Sequence, residues 1–312
     1  MEVISKITDR DIPSVLPGTV GAFLPLIQAR ESDIVGVKQA TFKYGSTDRH
    51  HLDVYHPAGV QGGKAPVLFF FYGGGFTTGA RVMPPPVDLI YRNLGAFFAR
   101  KGFYTVLADY RLLPDVKFPG GSEDVRDSVV WIVENAAEVA KDSDVKLDTE
   151  NIFIVGHSAG ASHVITTFLL PGLFPSVHLP RIKGLFLNGG PYTYRADLLP
   201  PEAPIPAEIL EAYFGPLQDL SSKEPLGLLE SAPQSLLDSF PPLVVSRAEK
   251  EPVAIEKMNL VFAKAAQGKL KSVEEYVMLG HNHVSPGFSL GSGEGEEWGN
   301  YAAQWAKSKT VA

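Results

Sequence analysis

Residues 151–160 read Asn-Ile-Phe-Ile-Val-Gly156-His157-Ser158-Ala159-Gly160. A short β-rich run leads into Gly-x-Ser-x-Gly and then into a helix-like segment. A serine hydroxyl is a poor nucleophile until a neighbouring base takes its proton. It must also project from the backbone toward the atom it attacks, and a sharp turn from strand into helix achieves this by holding the serine in a strained conformation. Glycines two residues before and two after leave room for such a turn. The following helix would aim its N-terminus, which favours negative charge, at the reacting centre. Gly-x-Ser-x-Gly strings also arise in ordinary glycine-rich loops, but the flanking strand and helix make Ser158 the stronger reading as a nucleophile.

Acyl transfer from such a serine needs a base, an acid to orient that base and donors for a developing oxyanion. Two of the eight histidines stand together in Gly280-His281-Asn282-His283-Val284-Ser285, after the last predicted strand, where the base of this topology must lie. His283 is preferred and His281 is the alternative. A zinc reading of the pair finds no third ligand nearby. The acid should follow the strand ending at Val245, where Glu249 and Glu251 compete and either could be solvated; Glu251 is preferred. The order Ser158, Glu251, His283 is nucleophile, acid, base. For the oxyanion, Phe71-Tyr72-Gly73-Gly74-Gly75-Phe76 exposes backbone N–H groups after the most apolar run, although alone it reads equally as a flexible turn. Ala159 N–H would be a further donor.

The elements that must position these groups alternate. Continuous apolar runs at 67–72, 103–108, 151–155, 182–187, 242–245 and 273–278 read as strands covered on both faces. Helices are predicted between them at 87–100, 122–141, 159–170, 254–267 and 296–307. The alternation argues for a parallel sheet with helices on both faces, with an antiparallel hairpin at 39–44 and 51–55 along one edge. Residues 1–38 and 190–235 do not fit the pattern. They are rich in proline and carry weak helical patches, including one at 206–214. Both are expected to form a small cap over the carboxyl end of the sheet, which divides the chain into a cap segment at 1–38 and a catalytic domain at 39–312 with a cap insertion at about 190–235.

Composition narrows the function classes. The chain has 312 residues, 45% of them hydrophobic and 20% charged, as in soluble globular proteins. A net charge of −7 disfavours nucleic acid as a partner. With no cysteine, thiolate catalysis, disulfides and Cys-ligated metals are excluded. The segment Met1 to Ser14 carries charges and lacks the apolar run of a signal peptide, and the longest apolar stretch, 66–72, is too short to span a bilayer. The expectation is a cytoplasmic protein with no membrane span.

Taken together, the elbow Gly156-His-Ser-Ala-Gly160, the triple glycine, Asp109-Tyr110-Arg111-Leu112, Pro114 and Phe118-Pro119 resemble the hormone-sensitive-lipase-like carboxylesterases of the α/β-hydrolase superfamily, over roughly residues 40–307. The resemblance implies a mostly parallel eight-stranded sheet, a helical cap built partly from the N-terminus, and hydrolysis of small or short-acyl esters without metal or cofactor. It assigns the oxyanion donors to Gly74 and Gly75 and makes Asp109 a scaffold residue. The chain departs from the family in carrying Tyr72 where His usually precedes the glycines, and Glu251 where Asp usually precedes Pro. His-Asn-His-Val-Ser also resembles kynurenine formamidase relatives, which supports His283 and keeps amide cleavage open. Lactone or carbon–carbon hydrolysis, and a non-catalytic ligand receptor on the same scaffold, are the remaining readings. Tyr192, Tyr194, Tyr213, Phe214, Phe76 and Phe288 are candidates for pocket walls and equally for packing, and the sequence leaves a homodimer open. Replacing Ser158 by Ala is predicted to lower the hydrolytic rate roughly a million-fold; steady-state turnover of a chromogenic ester checks this.

Overall fold

The computed structural model describes residues 1–200 and 205–310. Its eight strands are β1 Gln39–Lys43, β2 His51–Tyr55, β3 Lys64–Phe71, β4 Tyr104–Ala108, β5 Lys146–His157, β6 Ile182–Asn188, β7 Leu243–Lys250 and β8 Val273–Asn282. They form one sheet in the order β1-β2-β4-β3-β5-β6-β7-β8. The β1/β2 and β2/β4 pairs are antiparallel and every other pair is parallel.

In the central strands side chains of both parities are buried. All five residues of β4 are buried, as are the last five of β3 and the last five of β6. Only a sheet covered on both faces buries alternate side chains alike, which is why these segments are continuous apolar runs in the sequence. Helices Arg92–Arg100 and Glu297–Lys309 meet through Phe98 and Trp298. Helices Gly120–Glu134 and Ala159–Leu169 pack on one another. Because β3, β5, β7 and β8 run parallel, the loops that follow them emerge at the same end of the sheet. The glycine loop, Ser158, Glu251 and His283 therefore share one edge.

Three elements differ from their sequence reading. The segment 87–100 becomes a helix only at Arg92, because Tyr91 before it adopts a positive φ of 70°. The long helix expected at 122–141 is broken at Asn135 into Gly120–Glu134 and Ala136–Val139. The first 38 residues hold, beside short helices at Glu2–Lys6 and Glu31–Val35, a 17-residue helix, Ile12–Gln28, with Pro17 and Pro25 inside it. Its buried residues Val15, Thr19, Phe23 and Ile27 recur every four positions and line one face. Both prolines are exposed. On the exposed side of the helix, their rings and missing N–H groups disturb no buried packing.

The sharp turn after β5 depends on close approach. A Cβ on Gly160 would run into the carbonyl oxygens of Phe71 and Tyr72 at the end of β3. Gly160→Ala should cost about 1–3 kcal/mol through overpacking. Gly21, exposed in the middle of helix Ile12–Gln28, has open space around its Cβ position, so Gly21→Ala should add about 0.5–1 kcal/mol. Urea unfolding midpoints of the two variants should move in opposite directions.

Candidate active site

Ser158 lies at the turn between β5 and helix Ala159–Leu169 with φ 53° and ψ −126°. For a non-glycine residue this conformation is strained, and surrounding contacts must hold it. Its N–H donates to the Asn188 carbonyl at 2.8 Å. A Cβ on Gly156 would lie 2.7 Å from Ala161 Cα, so a side chain there would open the turn. The other non-glycine residues with positive φ, among those described, are Phe76 and Tyr91, and both lie close to this site.

The glycine loop after β3 passes directly over the serine. A Cβ at Gly73 would come within 2.6 Å of Ser158 Cβ. Gly74 has φ 144°, where a side chain would run into the Thr78 carbonyl, and its own carbonyl accepts N–H bonds from Thr77 at 3.1 Å and Thr78 at 3.0 Å. The N–H groups of Gly74, Gly75 and Ala159 have no acceptor among the described residues. Gly74 and Gly75 line the cavity above Ser158; Ala159 is fully buried beneath it.

Tyr72, before the glycines, is held from several sides. Its hydroxyl donates to Asp109 Oδ1 at 2.7 Å and accepts from Arg49 Nη2 at 2.7 Å, and the Tyr110 hydroxyl donates to its carbonyl at 2.7 Å. Burial, together with the Asp109 charge, pushes the Tyr72 phenol well above its usual range, so it stays a donor. Asp109 also accepts from Arg81, through its backbone N–H at 2.7 Å and through its guanidinium. Arg49 and Arg81 thus clamp the start of the loop; nothing in the local sequence marked either residue.

His283 follows β8 and is 2% exposed. Its Nε2 lies 3.0 Å from Ser158 Oγ and its Nδ1 2.6 Å from Glu251 Oε2. Glu251 Oε1 accepts from Ala248 N–H at 3.0 Å. Burial by itself would raise the Glu251 carboxyl; the charge and hydrogen bond of His283 and the Ala248 N–H outweigh it and hold the group below its ordinary value. Glu249 instead accepts from Gly280 N–H at 2.7 Å. His281 faces the Ser285 hydroxyl at 2.8 Å and the Gly295 carbonyl at 3.0 Å. The two imidazoles therefore serve different partners.

A cavity of about 540 Å³ opens above Ser158 and His283, walled by Ile12, Leu16, Met83, Pro84, Tyr91, Val284 and Phe288. Among the described residues that line it there is no Asp, Glu, Lys or Arg. Of the aromatic candidates, only Phe288 borders it. Phe76 stacks on Tyr213 at 4.6 Å and meets Phe214 edge-on, in an apolar cluster that includes Ala159 and Tyr194. Tyr192 stacks on Phe262 at 4.4 Å. The described part of 190–235 packs beside the turn and contributes no cavity-lining residue, whereas helix Ile12–Gln28 supplies Ile12 and Leu16.

A family model described as BD-FAE matches residues 52–168. The solved structure of brefeldin A esterase, a bacterial homologue of human hormone sensitive lipase, superposes with a TM-score of 0.69 at 20% identity, covering 93% of this chain and 86% of that one. The chain has the α/β-hydrolase fold. Carboxylesterase NlhH of Mycobacterium tuberculosis is 26% identical to this chain over 228 residues, 70% of this chain and 66% of that protein. Non-reducing polyketide synthase atr1 of Stereocaulon alpinum is 25% identical over 158 residues, half of this chain but 6% of the synthase. The chain thus spans a small part of the first curated relatives it matches. Among the described residues, no helix is long and apolar enough to cross a membrane.

Burial lowers His157, His163 and His281 from the ordinary 6.5 to about 4 each. Unfolded histidines take up protons near pH 6.5, while these folded ones do not until about pH 4, so the unfolded state binds more protons across that window. Their contribution is complete above pH 6.5 and lost as pH falls toward 4, on the order of 3 kcal/mol for each fully buried imidazole. Urea unfolding at pH 7, 6 and 5 should show a falling midpoint, and His163→Gln should flatten that slope.

Proposed function

We propose that the chain is a serine carboxylesterase that hydrolyses small or short-acyl, uncharged esters through a covalent acyl-enzyme. The observation that carries this reading is the unbroken run of Ser158 Oγ, His283 and Glu251, at 3.0 and 2.6 Å, on the floor of a cavity whose described walls carry no charged side chain. The carboxylesterase and lipase names of curated relatives agree with it.

In this reading His283 takes the Ser158 proton as Oγ attacks the ester carbonyl. The tetrahedral oxyanion rests on the N–H groups of Gly74, Gly75 and Ala159. When the carbon–oxygen bond breaks, His283 passes the proton to the leaving alcohol. Water then attacks the acyl-enzyme by the reverse route, giving a carboxylic acid and free Ser158. Glu251 keeps the Nδ1–H tautomer and stabilises the imidazolium formed in both halves.

The test is a panel of p-nitrophenyl esters of graded acyl length beside N-formylkynurenine, with fluorophosphonate labelling of Ser158. Glu251→Gln should lower kcat by about 10⁴ by stabilising the wrong tautomer, while Glu249→Gln should stay within about twofold of the parent. Near-parental activity in Glu251→Gln, or a Ser158 inert to the probe, overturns the proposal. Faster turnover of the formamide than of any ester would move the assignment to an amidase.

A further inference from the structure

The residue before Ser158 is a second histidine whose imidazole faces the loop of the base. His157 is 9% exposed, and its Nε2 lies 2.8 Å from the main-chain carbonyl of His283. A carbonyl oxygen only accepts, so Nε2 carries the proton. The two rings lie 4.8 Å apart, tilted by 38°. Burial, and then the neighbouring His283, disfavour charge on His157 and outweigh Glu251 and the carbonyl bond, which favour it. The Ser158 main chain is itself tied to β6 through its N–H.

We propose that His157 is a positioning residue for the base: its Nε2–H holds the His283 carbonyl and so sets the reach of His283 Nε2 to Ser158 Oγ. The inference rests on the triad reading above. The His283 side chain is already held at Nδ1 by Glu251, and the chain on either side of it by the Asn282 side chain, but none of those bonds holds the His283 carbonyl itself. His157 supplies the tie at that carbonyl, and because it is joined covalently to Ser158, it couples the position of the base to that of the nucleophile. The base must reach a proton at about 3 Å twice per cycle, first on Oγ and then toward the leaving group. A displacement on the order of 1 Å at such a step costs up to about a hundredfold.

Three variants separate this role from simple packing. His157→Phe keeps a ring and removes the donor; kcat should fall about 30-fold with KM within about twofold. His157→Gln places an amide nitrogen near the former Nε2 and should return kcat to within about threefold of the parent, while His157→Asn, whose amide reaches only as far as Nδ1, should not. Initial rates are measured beside Ser158→Ala, with folding followed by thermal melting. Parental kcat in His157→Phe while Ser158→Ala is dead overturns the positioning role and leaves the triad standing; equal loss in the Phe and Gln variants does the same. If His157→Phe fails to fold, the Gln and Asn variants decide, and equal kcat in those two overturns the role. Parental activity in Ser158→Ala removes the triad reading itself, and this proposal with it.

Discussion

The site depends on how closely the ends of β3 and β5 approach one another. The strands are hydrogen-bonded neighbours, and the loops leaving them are in van der Waals contact at Gly73 over Ser158 and at Gly160 under the Phe71 and Tyr72 carbonyls. That proximity sets the backbone of the glycine loop above the serine hydroxyl. It also explains why Ser158 keeps a conformation that a free chain would abandon: relaxing φ would drive the start of the helix into the neighbouring strand. The strain is maintained by packing of the core rather than by any one hydrogen bond.

The charged groups around this junction serve it in two ways. Behind the glycine loop, Asp109 is nearly buried and is matched by Arg81, Arg49 and the Tyr72 hydroxyl, so the loop begins from a fixed point. Tyrosine at this position reaches Asp109 with its hydroxyl while its ring stacks on Tyr110 at 4.9 Å. In front of the serine, the Glu251–His283 pair is buried and hydrogen-bonded at both carboxylate oxygens. A buried carboxylate oxygen without a donor would be far costlier, and the Ala248 N–H satisfies the second oxygen.

The sheet was readable because burial on both faces leaves its mark as uninterrupted apolar runs, and the elbow because strand, glycines and helix occur in one contiguous stretch. The two choices the sequence left open share a physical origin. Glu249 and Glu251, and likewise His281 and His283, are two residues apart and would share a face of an unbroken strand. A register shift between Ala248 and Lys250 sends the two glutamates to different partners. The end of β8 at Asn282, whose side-chain oxygen accepts the Val284 and Ser285 N–H groups, turns His283 away from His281. Such shifts arise from pairing with a distant strand and leave no local trace. Helix Ile12–Gln28 was obscured for a different reason: its prolines mimic loop composition while sitting harmlessly on the wet side.

That same helix links two properties usually treated as separate. It walls the cavity with Ile12 and Leu16, and one turn further on its Thr19 hydroxyl accepts a hydrogen bond from Asn282, the residue before His283, at 2.9 Å. A ligand bulky enough to push the wall outward therefore pulls on the segment that carries the imidazole. Accommodation and proton transfer compete for the position of one short piece of chain, so a guest too large for the chamber would be bound at the expense of its own turnover.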